Sequence, residues 1–119
     1  YHANCFRFAI ERPDIPNEYH RDFKDLAKAS TSCVDSLIMA SRAFFTHIEA
    51  VRDHDVKVVF YETEADRIST KLKTAIFDSD LPLDQKMHLR YFSERVEEAS
   101  NRAEDVADNL AIYTLKRSI

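Results

Sequence analysis

Apolar and small residues recur along the last third of the chain at Leu89, Phe92, Val96, Ala99, Ala103, Val106, Leu110 and Tyr113, at intervals alternating between three and four. That is a heptad seam, and it predicts one long helix over 83–118 laid against other helices. An earlier stretch carries Phe23, Leu26, Cys33, Leu37, Ala40, Phe44, Ile48 and Val51, with Ser30 in one inward slot. Opened by Asp14-Ile15-Pro16-Asn17, it predicts a helix roughly 50 Å long at about 1.5 Å per residue. Between the two, Val58, Tyr61, Ala65, Ile68, Leu72 and Ala75 or Ile76 repeat the same spacing. A turn is predicted at His54-Asp55, with Asp53 or Asp55 capping the helix that follows. Phe77-Asp78-Ser79-Asp80-Leu81-Pro82 ends that helix.

Residues 1–12 look helical until Pro13 and Pro16 stop them, and they read as the end of a helix that begins outside this chain. The connections are short, so successive helices are expected to lie antiparallel. The expectation is an all-α, up-down-up three-helix bundle over 13–119, preceded by a short helical segment.

Composition narrows this further. The 119 residues contain no glycine. Tight hairpins and phosphate-cradling loops depend on glycine for positive φ or close backbone approach, so a β fold, a Walker loop and a Rossmann fingerprint are all disfavoured. A net charge of −4 gives no basic surface for nucleic acid. No apolar run approaches the roughly 18 residues of a membrane span, and no signal peptide is visible. Two cysteines, Cys5 and Cys33, make no disulfide framework and point to a reducing cytoplasm. Cys33 lies in an apolar stripe and reads as a small core residue rather than a nucleophile.

No histidine has a glutamate three residues before it, which disfavours a di-iron oxidase of the ferritin type. No paired-cysteine motif, His-Glu-x-x-His or nucleophile elbow is present, so the expectation is a protein that is not an enzyme. Carboxylate spacing is what remains. Glu62 and Asp66 stand four apart on one helix face, Glu97 and Asn101 repeat the interval, and Asp105 and Asp108 continue it. Taken with the seam above, these last four fall on outer b, c and f positions. Between Glu94 and Asp108 stand six acids and two bases. Such a face is either a solvated surface helped by Arg95 and Arg102 or a set of hard oxygen ligands for iron, magnesium or manganese.

The stretch Glu62-Thr-Glu-Ala-Asp66-Arg-Ile68, then Leu72 and Phe77, Leu81-Pro82-Leu-Asp84 and the run Glu94 to Leu110 resemble the PhoU-like proteins. The closer likeness is to the branch of accessory or regulatory proteins associated with Pit-type phosphate transporters. It covers roughly Ile15 to Arg117, and the chain is similar to the second of two three-helix repeats. The resemblance implies a non-enzymatic cytoplasmic regulator of phosphate transport, peripheral to the membrane's inner face through its partner. That partner would be a Pit-type phosphate transporter or a signalling protein, and a homo-oligomer is compatible with the same reading. It also implies a metal site, commonly iron, on the pattern Glu/Asp-x-x-x-Asp. Glu62 and Asp66 match that pattern; at Glu97 and Asn101 the expected Asp is replaced by Asn, which keeps a carbonyl oxygen but removes a charge. Asp105 extends the set. The competing reading is a ligand-free helical module for dimerisation or scaffolding.

Overall fold

The structure is a computed structural model that describes residues 15–118. It is all-α: α1 runs Asn17–Thr46, α2 Val51–Phe77 and α3 Leu83–Ser118, with a 3₁₀ turn Ile48–Ala50 between the first two. The expected N-terminal helical segment and Cys5 lie outside the described residues. Among the described residues no helix is long and apolar enough to cross a membrane.

Long-range bonds fix the up-down-up order. The Tyr19 hydroxyl donates to Ala75 O at 3.5 Å, and the Cys33 thiol donates to Val58 O at 3.3 Å and Ser100 O at 3.7 Å. At the other end Arg117 lies 5.3 Å over the Phe44 ring. So α1 and α3 run parallel, with α2 antiparallel to both, in a rod of 57 × 25 × 18 Å.

The ends form without glycine because no described residue has positive φ. At the foot of α1, Tyr19 N–H donates to Pro16 O at 3.0 Å. At its top, His47 leaves the helix with φ −153° and ψ 75° while its N–H still reaches Ala43 O at 2.7 Å. Past Phe77 the chain turns on Ser79, whose hydroxyl donates to Ile76 O and accepts from Leu81 N–H. The Lys86 ammonium donates to Phe77 O at 3.0 Å, a cation on the carbonyl end of α2.

Two expectations need correcting. The first turn lies at His47, not at His54-Asp55, and neither Asp53 nor Asp55 caps α2, whose preceding residue Ala50 makes no side-chain cap. The heptad column Phe44, Val51 and Val58 runs straight past His47, and the one gap in the three-four rhythm falls between Val51 and Val58 at His54-Asp55, so periodicity points to the wrong place for the break. The polar run Arg52-Asp53-His54-Asp55 is the helix's first turn, where Asp53 suits the positive end of the dipole.

The second correction concerns the face of α3. Its buried positions are Leu89, Ser93, Ser100, Ala103 and Ala107, while Val106 and Tyr113 are exposed. One column, Leu89, Val96 and Ala103, is shared with the seam read in the sequence. The other moves by one residue, from Phe92, Ala99 and Val106 to Ser93, Ser100 and Ala107, which turns the face by about 50°. Ser93, Ser100 and Ala107 take the inward column because small residues let helix backbones approach closely. The turn carries Glu97 and Glu104 to the margin facing α2, where both are half-buried. Glu97 is therefore not on an outer, solvated position.

Two core regions result. One joins Tyr19, Phe23, Leu26, Leu72, Ile76 and Leu89, with Phe23 and Phe92 ring centroids 5.3 Å apart. The other consists of Cys33, Val58, Ala103 and Ala107, flanked by Val34, Leu37 and Tyr61.

Candidate functional site

The inward face of α2 explains why acids collect where they do. Val51, Val58, Ala65 and Leu72 form one buried column at heptad spacing. The neighbouring column, also seven apart, reads Asp55, Glu62, Ser69 and Ile76. Two of its four members are acids, and they meet α3 across the antiparallel contact. Lys73 and Glu94 pair at 3.9 Å toward one end of that contact. In the middle, Glu62 and Glu104 are hydrogen-bond partners, and beyond them Asp55 feels the charge of Asp108.

Two of these carboxylates, Glu62 and Asp55, hold protons tightly. Burial pushes Glu62 up to about 7, helped by its bond to Glu104 and by the charges of Glu104, Asp66 and Glu97. Near neutrality Glu62 is therefore protonated about half the time, and in that form its hydroxyl can donate to the Glu104 carboxylate. Asp55 is pushed up to about 6 by burial and by Asp108, with His54 pulling the other way. Both of its oxygens are shut off from solvent without a hydrogen-bond partner, as is one oxygen of Glu97.

On the opposite flank of α3 the acids are neutralised. Arg90 bonds Glu94 at 3.0 Å, Arg95 bonds Glu98 at 2.8 Å, and Arg102 bonds Glu98 at 3.1 Å. Hydrogen bonding from Arg102 and Arg95 holds Glu98 below the usual carboxylate range. The acidic face read in the sequence thus divides into acids held in ion pairs, Glu94 and Glu98, and acids that make none among the described residues, Glu62, Asp66, Glu97 and Glu104, although Lys73 and Arg95 stand in the groove beside Glu97.

Of the sequence-predicted residues, Glu62, Asp66 and Glu97 come together, close enough for the latter two to act electrostatically on Glu62. Asp66, Asn101 and Asp105 are exposed. Asn101 lines a shallow charged groove with Lys73, Tyr91, Glu94, Arg95, Glu97 and Glu98. Asp105 is not among the groups that act on Glu62. Glu104 and Asp55 were missed. Their signal is a heptad relation, since Glu104 follows Glu97 by seven and Asp55 precedes Glu62 by seven. A search for acids four apart does not find acids seven apart.

All donors here are oxygens, the kind a hard divalent cation takes. Among the described residues, however, no three Asp, Glu, His or Cys side chains converge into a metal-holding set. The donor chemistry fits a cation; the ligands are not preassembled around one. Cys33 beneath the cluster is fully buried, and burial with the charges of Glu62 and Glu104 pushes its thiol up to about 11. It is an inert core residue, as its stripe suggested.

No protein-family model matches the chain, and no solved structure matches it. The chain is similar to a UPF0111 protein of Thermotoga maritima, 24% identical over 108 residues, which is 91% of this chain and 51% of that protein. The chain therefore spans about half the length of the curated relative it matches.

Proposed function

We propose that the chain is a non-enzymatic, PhoU-like regulator of inorganic phosphate transport, acting in the cytoplasm at the inner face of the membrane through a Pit-type transporter or a signalling partner. The reading is supported by the order and spacing of the three helices, by the motifs shared with that family, and by the similarity to the UPF0111 protein along most of the chain. The observation that carries it is the set of uncompensated carboxylates that α2 and α3 bring to one flank.

In this reading Glu62, Asp66 and Glu97 hold a hard divalent cation, iron or manganese, with Glu104 beside them and Asn101 and Asp105 at the exposed margin. A bound cation supplies the ion pairing these acids lack. Glu62 gives up its proton to accommodate it, so affinity rises with pH through about 7.

The test is bound metal after incubation of metal-free protein with Fe²⁺ or Mn²⁺. Glu62→Ala and Asp66→Ala are expected to lose most of it, and Asn101→Asp to bind more tightly by restoring a charge. Metal content unchanged in the alanine variants removes the site. Recovery of no Pit-type transporter from detergent-solubilised membranes by the tagged protein, with the metal present, removes that partner.

A further inference from the structure

The outward face of α2 has a pattern that neither the bundle core nor the carboxylate flank explains. Val56, Val59 and Phe60 are 62%, 46% and 58% exposed, with exposed Thr63 completing an apolar centre. Beside them a groove of about 620 Å³ runs between α2 and the end of α3, walled by Val56, Val59, Ala111 and Leu115. Apolar surface gathered this way marks an interaction site more often than a solvated face does.

The charges around it identify the occupant. Arg52 stands seven residues before Val59 and Asp66 seven after; Asp53 stands seven before Phe60 and Arg67 seven after. On an α-helix these form two neighbouring strips, with Val56 and Thr63 between them. Each strip has a cation at one end, an anion at the other and an apolar residue at its midpoint, and the two strips have opposite polarity. A second α2 laid antiparallel about a two-fold axis near Val59 and Phe60 meets Arg52 with Asp66 on one side and Asp53 with Arg67 on the other. Every charge then faces its opposite, twice over, around an apolar centre. A parallel two-fold pair would instead set Arg52 against Asp53, Asp66 against Arg67 and Val59 against Phe60, an arrangement in which reversing Arg52 and Asp66 together restores nothing.

We infer that this face of α2 binds the same face of a second copy of the chain, in an antiparallel, two-fold symmetric dimer held by the Arg52–Asp66 and Asp53–Arg67 pairs across it. Within one chain Arg52 makes no ion pair among the described residues, and Arg67 is held by Glu64 at 2.8 Å, an exposed pair it can exchange. A two-fold interface is self-complementary, which is the property these strips have.

The inference does not depend on bound metal, although Asp66 belongs to both readings. The experiment is therefore sedimentation in the presence of chelator. Wild-type protein is expected to be a dimer. Arg52→Asp and Asp66→Arg each place like charges opposite and are expected to weaken dimerisation at least tenfold, and the double reversal R52D/D66R to recover it. Val59→Cys, with Cys5 and Cys33 replaced by alanine, is expected to join two chains through a short bis-maleimide, because a residue on the axis faces itself. Circular dichroism checks that each variant is folded. A monomeric wild type, a dimer that chelator dissolves, reversals without effect, no recovery in the folded double variant, or no cross-link at position 59 each overturns the proposal.

Discussion

The two ends of the bundle are built from different materials. Around the foot of α1 the core is aromatic and leucine-rich, with Tyr19, Phe23, Leu26, Leu72, Ile76 and Leu89 closed over one another. Toward the top it thins to Cys33, Val58, Ala103 and Ala107, and the space beside them is taken by Asp55, Glu62 and Glu104. A single column of α2 records the change, from Asp55 and Glu62 through Ser69 to Ile76. The first region gains stability from buried apolar area. The second gives some of that up, because small side chains bury little and half-buried acids lose hydration. Uncompensated polar groups of this kind belong to places where a protein does something besides fold.

The largest test of that contrast is truncation on either side of it. Leu72 and Val58 are both fully buried, in the same column of α2 and two heptads apart. Leu72→Ala is expected to cost about 3–4 kcal/mol, since it leaves a cavity among large neighbours. Val58→Ala, among small residues that can close in, is expected to cost about half as much. Urea unfolding of the two variants measures the difference, and equal losses would mean that the ends differ in composition but not in strength.

A somewhat smaller effect, of opposite sign, is expected at Asp55. Its carboxyl titrates near 6 in the folded protein against an ordinary value of 3.8, so the native state binds the extra proton between those values. Stability from this group then falls as pH rises from about 4 to about 6, and the cost of the buried anion is fully present above that range. Asp55→Asn removes the anion. The substitution is expected to stabilise the protein by about 2 kcal/mol at pH 7.5 and to have little effect near pH 4. Thermal unfolding across pH reads this directly, and a stabilisation that is the same at both ends would assign the effect to packing rather than charge.

The apolar end was legible in the sequence and the acidic end only in part, for a physical reason. Phe23, Leu26, Leu72 and Leu89 announce their inward direction by size, so the existence, type and order of three helices followed from spacing. In α3 Phe92, Ala99 and Val106 competed for the seam with Ser93, Ser100 and Ala107, and hydropathy favoured the wrong set. What decides the matter is the distance between helix axes, which serine and alanine permit and valine and phenylalanine do not. Moving one of the two seam columns by a residue turns the face by about 50°, enough to move Glu97 from solvent to the α2 margin and bring Glu104 to Glu62. The turn at His47 was hidden for a related reason: a heptad column that runs straight past it and no glycine or proline to mark the stop.

The smallest effect is expected at Ser69, where the two regions meet. Its side chain is fully buried and its hydroxyl has no hydrogen-bond partner, whereas Ser93 and Ser100 return theirs to the carbonyls of Arg90 and Glu97. If Ser69 stands in the seam because it is small, its hydroxyl contributes nothing and carries a desolvation cost. Ser69→Ala keeps the size and deletes the unsatisfied group, and it is expected to be neutral or to stabilise by up to about 1 kcal/mol. Ser69→Leu would continue the apolar column toward Ile76 and, by hydropathy alone, should stabilise still more. In a seam set by close approach it must instead force α2 away from its neighbours, which costs about 1–3 kcal/mol. Opposite signs for alanine and leucine at this one position would establish that helix spacing, rather than apolar area, governs the acid-bearing end; a gain from leucine would show that the column is simply an unfinished apolar core.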